Sequence, residues 1–559
     1  MIWDTLAFKS ICRGNGRNML VWLKNLDLSG TGSKKILLCC TLFLFSYSML
    51  IYAKTLGNDF VWDSTGVILE DPMIRNFGNI PKFFMEPLVL GTTGDVGEGL
   101  KLGALKYYRP LLSSLHTVEF FLFGESPAGY KAVNLFLNGI VVVLGFLVVR
   151  KLTGDVLVSF LSTLLYASLP ARAEAVYWVY SDSYILAALF ALLAFGSYLS
   201  HNKKRAALFF VVGLFFQEGI VVLPFILLMY EMTRKDPPSV SQRFIGVSLF
   251  GAISMVYLVA RHLIVGALPT GSLSPLSLLS AVGFQCWGHL RIFFWQDASA
   301  TVYLYEQGMF ASGRPAFWWG IVSLFCFSGV AIWLWRSRKD LFFWLMWYVG
   351  WLAVTFNVGA YNSYLMAEKS VYLAALGMAV LIASLLTHWR PMRHFGVGVV
   401  VVIVLANSVQ TYARAASWVD TATYIDAVLK FQPGFDLALF EGGKIAYAQK
   451  RYAASVRYYK RGLQVRPELT NAMGGYYAES VIRYSQQLAE TGDLDQALLA
   501  LQEATRLVPD NSNIQNSLGV VYYLQGKRAE AISRWQLALK FDPANREALN
   551  NLNMFRTVQ

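Results

Sequence analysis

The sequence predicts an all-α protein in two parts: a polytopic bundle of about eleven transmembrane helices, then an α-solenoid. Three observations predict it. Of the 559 residues, 55% are hydrophobic and only 15% are charged, with a mean hydropathy of +0.44. A soluble domain carries about 25% charged residues, so the chain reads as integral to a membrane. Its apolar runs are separated by short clusters of Lys and Arg. Near the end, Pro433, Pro467, Pro509 and Pro543 follow one another at intervals of 34, 42 and 34 residues, a helical repeat period.

The net charge is +13. The basic residues lie between apolar runs, which is the pattern of cytoplasmic membrane loops and argues against a nucleic-acid partner. Cys12, Cys39, Cys40, Cys286 and Cys326 show no metal-ligand spacing and no disulfide framework.

Residues 1–35 form a basic N-terminal tail, read as cytoplasmic. Within it, 19–28 mixes Leu, Val and Trp with lysine and suits an interfacial helix; a loosely ordered tail suits it equally. The run 36–53 has no small-residue cleavage site after it, so it reads as a retained anchor. Crossing the hydrocarbon takes roughly 20 apolar residues. Spans are expected near 36–53, 133–150, 156–170, 176–199, 206–217, 219–232, 244–265, 316–335, 341–358, 371–387 and 395–412.

With a cytoplasmic N-terminus, this order puts every basic cluster inside: Arg150-Lys151, Lys203 to Arg205, Arg234-Lys235, Arg336 to Lys339 and Arg390 to Arg393. It requires 206–232 to be two short helices meeting at Gln217-Glu218. A charge at the bilayer centre costs at least about 2.5–3.5 kcal/mol, so a turn placing Glu218 at the outer surface is favoured. The transmembrane part then occupies 36–412, with large outer loops at 54–132 and 266–315. In those loops 111–123 reads as a re-entrant or interfacial helix and 287–297 as an interfacial helix.

A linker with the first helices is expected at 413–435 and the repeats at 436–559. A 34-residue period is that of the tetratricopeptide repeat. The last unit carries Leu518, Gly519, Tyr522, Ala531, Trp535, Ala538 and Pro543 at the signature places. The unit before it keeps Ala497, Leu501 and Ala504, and the one ending at Pro467 keeps Ser455, Tyr459 and Gly462. The interval of 42 is one repeat plus eight residues inserted at about 468–475. Stacked repeats present a concave face suited to a protein partner.

No phosphate-cradling glycine loop, zinc signature or hydrolase elbow is present. What remains is charge at the outer ends of spans: Asp63, Arg109, Arg172, Glu174, Asp182, Glu218, Arg261, Arg291, Glu368 and Lys369. Each taken alone is also compatible with a snorkelling residue or a structural ion pair, but together they converge on one membrane face. Asp63 is the candidate base, and arginine and lysine on the same face suit a phosphate. That combination suggests transfer from a lipid-linked phosphate donor.

Several stretches also resemble a known family. Asp59-Phe60-Val61-Trp62-Asp63 resembles a first-loop acidic motif. Tyr108-Arg109-Pro110-Leu111, Gly129 to Asn134, Glu174 to Val179, Gln217-Glu218 and Ala367 to Leu373 follow at the expected places. The chain is similar to the polytopic GT-C glycosyltransferases that carry tetratricopeptide repeats, the O-mannosyltransferases of that architecture. It departs from them in having Ser64 in place of a second acid, Arg172 for His, Ser181-Asp182 for Gly-Arg and Lys369 for Arg.

The resemblance implies an inverting, polyprenyl-phosphate-dependent mannosyltransferase or relative. Asp63 would deprotonate the Ser/Thr hydroxyl of an acceptor protein recruited by the repeats. Arg109, Lys369 and Arg261 would bind the donor phosphate. Glu174, Glu218, Arg172 and Asp182 would orient sugar or loop. No metal or other cofactor is expected, since the lipid-linked sugar is itself a substrate. Two alternatives stay open: a non-catalytic membrane scaffold that binds partners through the repeats, and a transferase acting on lipid or polysaccharide. A transporter is disfavoured because the spans show no inverted repeat. No Asn-X-Ser/Thr site occurs anywhere in the chain, which favours a bacterial inner membrane with the repeats in the periplasm over the endoplasmic reticulum.

Overall fold

A computed structural model describes residues 32–90, 105–234, 239–266, 274–294, 302–304, 309–356, 364–388 and 390–557. The N-terminal interfacial helix expected at 19–28, and Trp295 and Asp297 of the second loop, lie outside them. Helices of eleven residues or more are numbered here in chain order.

The membrane part begins with α1 (Gly32–Tyr52). After the first loop come α2 (Pro110–Phe123), α3 (Pro127–Thr153), α4 (Val156–Ser168), α5 (Asp182–Leu199), α6 (Lys203–Phe216) and α7 (Leu223–Thr233). Then follow α8 (Val240–Val265), α9 (Pro275–Phe294), α10 (Pro315–Ser337), α11 (Lys339–Ala353), α12 (Ala374–His388) and α13 (Arg393–Arg414). Local chemistry sets their ends. Pro127 occupies the first turn of α3, where no amide donor is needed, and Gly154 closes it in the left-handed region at φ 71°. Asp155 then caps α4 by accepting from the amides of Leu157 and Val158.

Among the described residues, six helical stretches are long and apolar enough to cross a membrane: Lys34–Gly57, Pro127–Thr153, Val179–Leu199, Val240–Val265, Pro315–Ser337 and Arg393–Trp418. A seventh is the pair Val156–Ser168 and Pro170–Tyr177, bent by 58°. The four other runs read as spans are helices of 11–15 residues, α6, α7, α11 and α12. At 1.5 Å per residue these reach only about 16–23 Å, so the count of eleven full crossings is not matched by helix length. The run 206–232 does break where the charge argument places it. Gln217 leaves helical geometry, and Glu218–Val222 is a 3₁₀ turn between α6 and α7.

The first loop folds into short turns and a β-pair, β1 (Leu88–Leu90) with β2 (Leu105–Tyr107), ahead of α2. Helix α2 is amphipathic in an unusual sense. It buries Ser113, His116, Thr117 and Glu119, while Phe121 and Leu122 stand 59% and 69% exposed. An apolar outer face suits a helix at a membrane surface. In the second loop, α9 is a 20-residue helix pressed along α10 rather than a lone surface helix. Gly283 and Gly320 permit the approach, because a Cβ on either would strike the other helix's backbone. A second β-pair, β3 (Val302–Leu304) with β4 (Tyr364–Ala367), leads directly into Glu368 and Lys369.

After α13 the chain continues through Ala415–Trp418 into α14 (Thr421–Phe431). Paired helices follow: α15 (Asp436–Ala448) with α16 (Tyr452–Val465), α17 (Thr470–Glu490) with α18 (Leu494–Leu507), and α19 (Ser512–Leu524) with α20 (Arg528–Phe541), then α21 (Arg546–Thr557). The eight inserted residues are absorbed by a 3₁₀ turn and the first turns of α17, which has 21 residues where α15 and α19 have 13. Small residues let each pair close: a Cβ at Gly443 would collide with the Tyr459 ring, and one at Gly519 with Trp535. Gly519→Ala is therefore expected to cost about 1–3 kcal/mol, the usual effect of overpacking. Thermal melting of the detergent-solubilised chain reads it, and an unchanged midpoint would show that Trp535 yields freely.

The two parts share one core. The cluster that contains Leu44, Val142 and Trp347 runs on through Trp418, Ile425 and Phe435 to Ala438 of α15. The later repeats have their own core, centred on Leu463, Tyr477, Leu501 and Leu518.

Candidate functional site

The acidic motif is held from three sides. The Asp59 amide donates to the Val419 carbonyl (2.7 Å), the Asn58 amide nitrogen to the Ala415 carbonyl (2.9 Å) and the Trp62 amide to Thr421 Oγ1 (3.0 Å). Lys131, at the start of α3, donates to the Asp59 carbonyl at 2.8 Å. Trp62 stacks on Phe435 and meets Tyr424 edge-on. Its φ of 55° is uncommon for a bulky residue. These contacts fix that conformation. The segment between membrane and repeats therefore forms one wall of the site.

Asp63 is half-buried. Burial pushes its carboxyl up to about 6, against the pull of Lys369 and with the help of Glu441 on α15. The neighbouring serine has a structural use. Ser64 is fully buried, and its Oγ accepts the Tyr180 amide at 3.1 Å. An acid at that position would sit in the core, so Ser64 ties the loop to the turn that leads into α5 rather than serving as a second ligand.

Lys369 follows β4, and its charge acts on Asp63. Its ammonium lies 3.7 Å from Glu174 Oε1, and its amide donates to Glu174 Oε2 at 2.7 Å. The same ammonium sits 4.1 Å from the centre of the Trp178 ring. Burial lowers its pKa, opposed by Glu174 and Asp63. Next to it, Glu368 is fixed by Arg414 at 2.6 Å, and Arg414 also donates to the Pro170 carbonyl at 3.0 Å.

Arg109 forms a bidentate pair with Glu218, both bonds 3.0 Å long, and lies over the Tyr107 ring at 4.3 Å. Its third nitrogen, Nη1, reaches the Tyr180 and Ser183 hydroxyls at 3.4 Å each. Burial works against the Glu218 charge, but Arg109 wins and holds that carboxyl below its ordinary range. Arg261 on α8 is half-buried, and its charge acts on both Glu218 and Tyr107. The charges of Asp63 and Arg109 both act on Tyr107 and Tyr180.

Asp63, Lys369, Glu174, Arg109, Glu218 and Arg261 thus share one neighbourhood. Arg172 and Asp182 do not join it. Arg172 is fully buried between the Tyr166 and Tyr372 rings, and donates to Asn138 Oδ1 at 2.6 Å and to the Tyr166 carbonyl at 3.2 Å. Asp182 turns the other way, onto His116 at 2.9 Å. Sequence reasoning missed Arg414, Asn138, Glu441 and the aromatic wall. Arg414 alone carried a signal, as a charge at the end of the last apolar run.

A family model described as TPR repeat matches residues 486–526. Protein O-mannosyl-transferase TMTC1 of Homo sapiens is 32% identical over 161 residues, 28% of this chain and 17% of that protein. Protein O-mannosyl-transferase Tmtc2 of Drosophila melanogaster is 29% identical over 172 residues, 29% of this chain and 17% of the relative. The chain therefore aligns with only a small part of these relatives' length. Among solved structures, the APC/C hetero-tetramer Cut9-Hcn1 aligns with 83% of this chain at 12% identity and a TM-score of 0.22, too low to establish a shared fold.

Proposed function

We propose that this protein is an inverting membrane glycosyltransferase, which moves a sugar from a polyprenyl-phosphate donor to Ser/Thr hydroxyls of a protein on the extracytoplasmic face. One observation carries the reading. A half-buried carboxyl, raised to about 6, feels the charges of Lys369 and of Glu441 on α15, where the first loop is tied to the segment leading into the repeats.

Asp63 accepts the proton of the acceptor hydroxyl as its oxygen attacks the anomeric carbon. The bond from that carbon to the phosphate oxygen breaks on the opposite face, and polyprenyl phosphate leaves. Lys369 and Arg261 meet the charge that develops on it. Arg109, already clamped by Glu218, presents its remaining donors and shapes the wall with Tyr107 and Tyr180. The repeats bring the acceptor to the Asp63 side through α14 and α15. Mannose is the sugar favoured by the similarity to the O-mannosyl-transferases. The missing Asn-X-Ser/Thr sites favour a bacterial inner membrane, with the N-terminus cytoplasmic and the repeats periplasmic.

The test supplies purified full-length protein with mannose labelled either on polyprenyl monophosphate or on a nucleotide, together with a membrane-cleared lysate. Label entering protein from the lipid donor alone is expected. Transfer from the nucleotide sugar would overturn the donor assignment, and label appearing only in lipid would overturn the protein acceptor.

A further inference from the structure

A second cluster of titratable groups lies outside the Asp63 site, and the proposed reaction does not use it. His116 and Glu119 are three residues apart on α2, so they share one helix face. Asp182, the first residue of α5, meets them there. One ligand-capable atom from each lies within 4.8 Å of the others. The side chains are sealed from solvent, with 0%, 2% and 0% exposure. His116 Nε2 and Asp182 Oδ2 are 2.9 Å apart, near the roughly 3.3 Å between two ligands on a tetrahedral ion bound at 2.0–2.1 Å.

The cluster is not satisfied by protein. Both Glu119 oxygens, Asp182 Oδ1 and His116 Nδ1 are buried and have no hydrogen-bond partner among the described residues. Carboxylates in a dry interior need a counter-charge or a proton. We propose that His116, Glu119 and Asp182 bind one divalent first-row metal ion, Zn²⁺ or Mn²⁺. Two carboxylates and a neutral imidazole supply two negative charges, matching the ion, and a mixed oxygen and nitrogen set suits those metals.

The ion ties α2 to the start of α5. Arg109 immediately precedes α2, and Tyr180 and Ser183 flank Asp182, so the site sets the wall that holds Arg109. Its role is to position that wall. The three ligands sit on two segments far apart in the chain, which is why no ligand spacing was visible in the sequence. The inference does not depend on the transferase reading.

The test is metal content by plasma mass spectrometry on full-length protein purified in detergent without a polyhistidine tag, beside Glu119→Gln and Asp182→Asn. About one zinc or manganese per chain is expected in the wild type, and at least a tenfold loss in either variant. After EDTA stripping, Zn²⁺ or Mn²⁺ alone should raise the wild-type melting temperature by about 3–8 °C and leave Glu119→Gln unmoved. Metal below about a tenth of an equivalent with no melting shift overturns the site, leaving a proton-sharing His–Asp–Glu network. Equal metal in wild type and variants overturns it as adventitious binding. If neither variant folds, strip-and-reload melting of the wild type decides: a shift supports the site and none overturns it.

Discussion

Asp63→Asn is expected to lower sugar transfer by about 10²–10⁴-fold, the usual contribution of a positioned base, with donor binding retained. Asparagine keeps the shape of the side chain but cannot take the hydroxyl proton. The pH profile gives an independent check. Burial, opposed by Lys369 and aided by Glu441, brings the carboxyl to about 6. The base works ionised, so kcat/KM should fall tenfold per unit below about pH 6 and level off above it.

Stability runs the other way. The folded pKa lies above the ordinary carboxyl value of 3.8, so the folded protein favours the protonated form. Stability then declines as pH rises from about 4 to about 6 and stays reduced above that. The Asn variant should melt higher than wild type at pH 7.5 and equally at pH 4. A variant that loses activity and also melts lower at pH 7.5 would point to misfolding rather than to a missing base.

Glu368→Ala is expected to cost about 3–5 kcal/mol of stability, the usual effect of orphaning a buried charge. Glu368 is 0% exposed and Arg414 is 3% exposed. Removing the carboxylate leaves the Arg414 guanidinium in the core with its bond to the Pro170 carbonyl and the charge of Glu174. The damage should also reach the site, because Lys369 is the next residue. Replacing both partners by apolar residues, Glu368→Leu with Arg414→Met, should recover part of the loss, since no charge is then stranded. Thermal unfolding in one detergent, for Glu368→Leu, Arg414→Met and the double variant, measures the coupling. Strictly additive losses would show that the pair does not act as a unit.

Much of this was legible in the sequence because it is local. The repeat period is written in prolines and small residues that each repeat uses within itself, and even the eight-residue insertion has a local outcome, a longer α17. The break at Gln217-Glu218 followed from the cost of one charge in hydrocarbon. The placing of Asp63, Arg109, Glu218 and Lys369 near one surface followed from span order. Other features depend on contacts that no local pattern records. Hydropathy marks apolar runs but does not measure helices, so the short α6, α7, α11 and α12 read like full spans. Arg172 and Asp182 stand within eight residues of Glu174 in the chain, yet one is taken up by two tyrosine rings and the other by His116. Arg414 finds Glu368 46 residues back in the chain, and Trp62 keeps its positive φ because Thr421, Tyr424 and Phe435 return to it from beyond the last span.

The most direct measurement is a transfer reaction followed by glycopeptide mass spectrometry. Wild-type protein and Asp63→Asn are incubated in parallel with polyprenyl-phosphate mannose and the same acceptor lysate. Hexose on Ser or Thr of acceptor peptides with wild type, absent with the variant although both bind labelled donor, is the predicted result. Hexose transfer undiminished in Asp63→Asn would contradict the assignment of the base. No hexose on any protein with wild type, while the repeats still capture a partner, would contradict the transferase itself and leave a membrane scaffold.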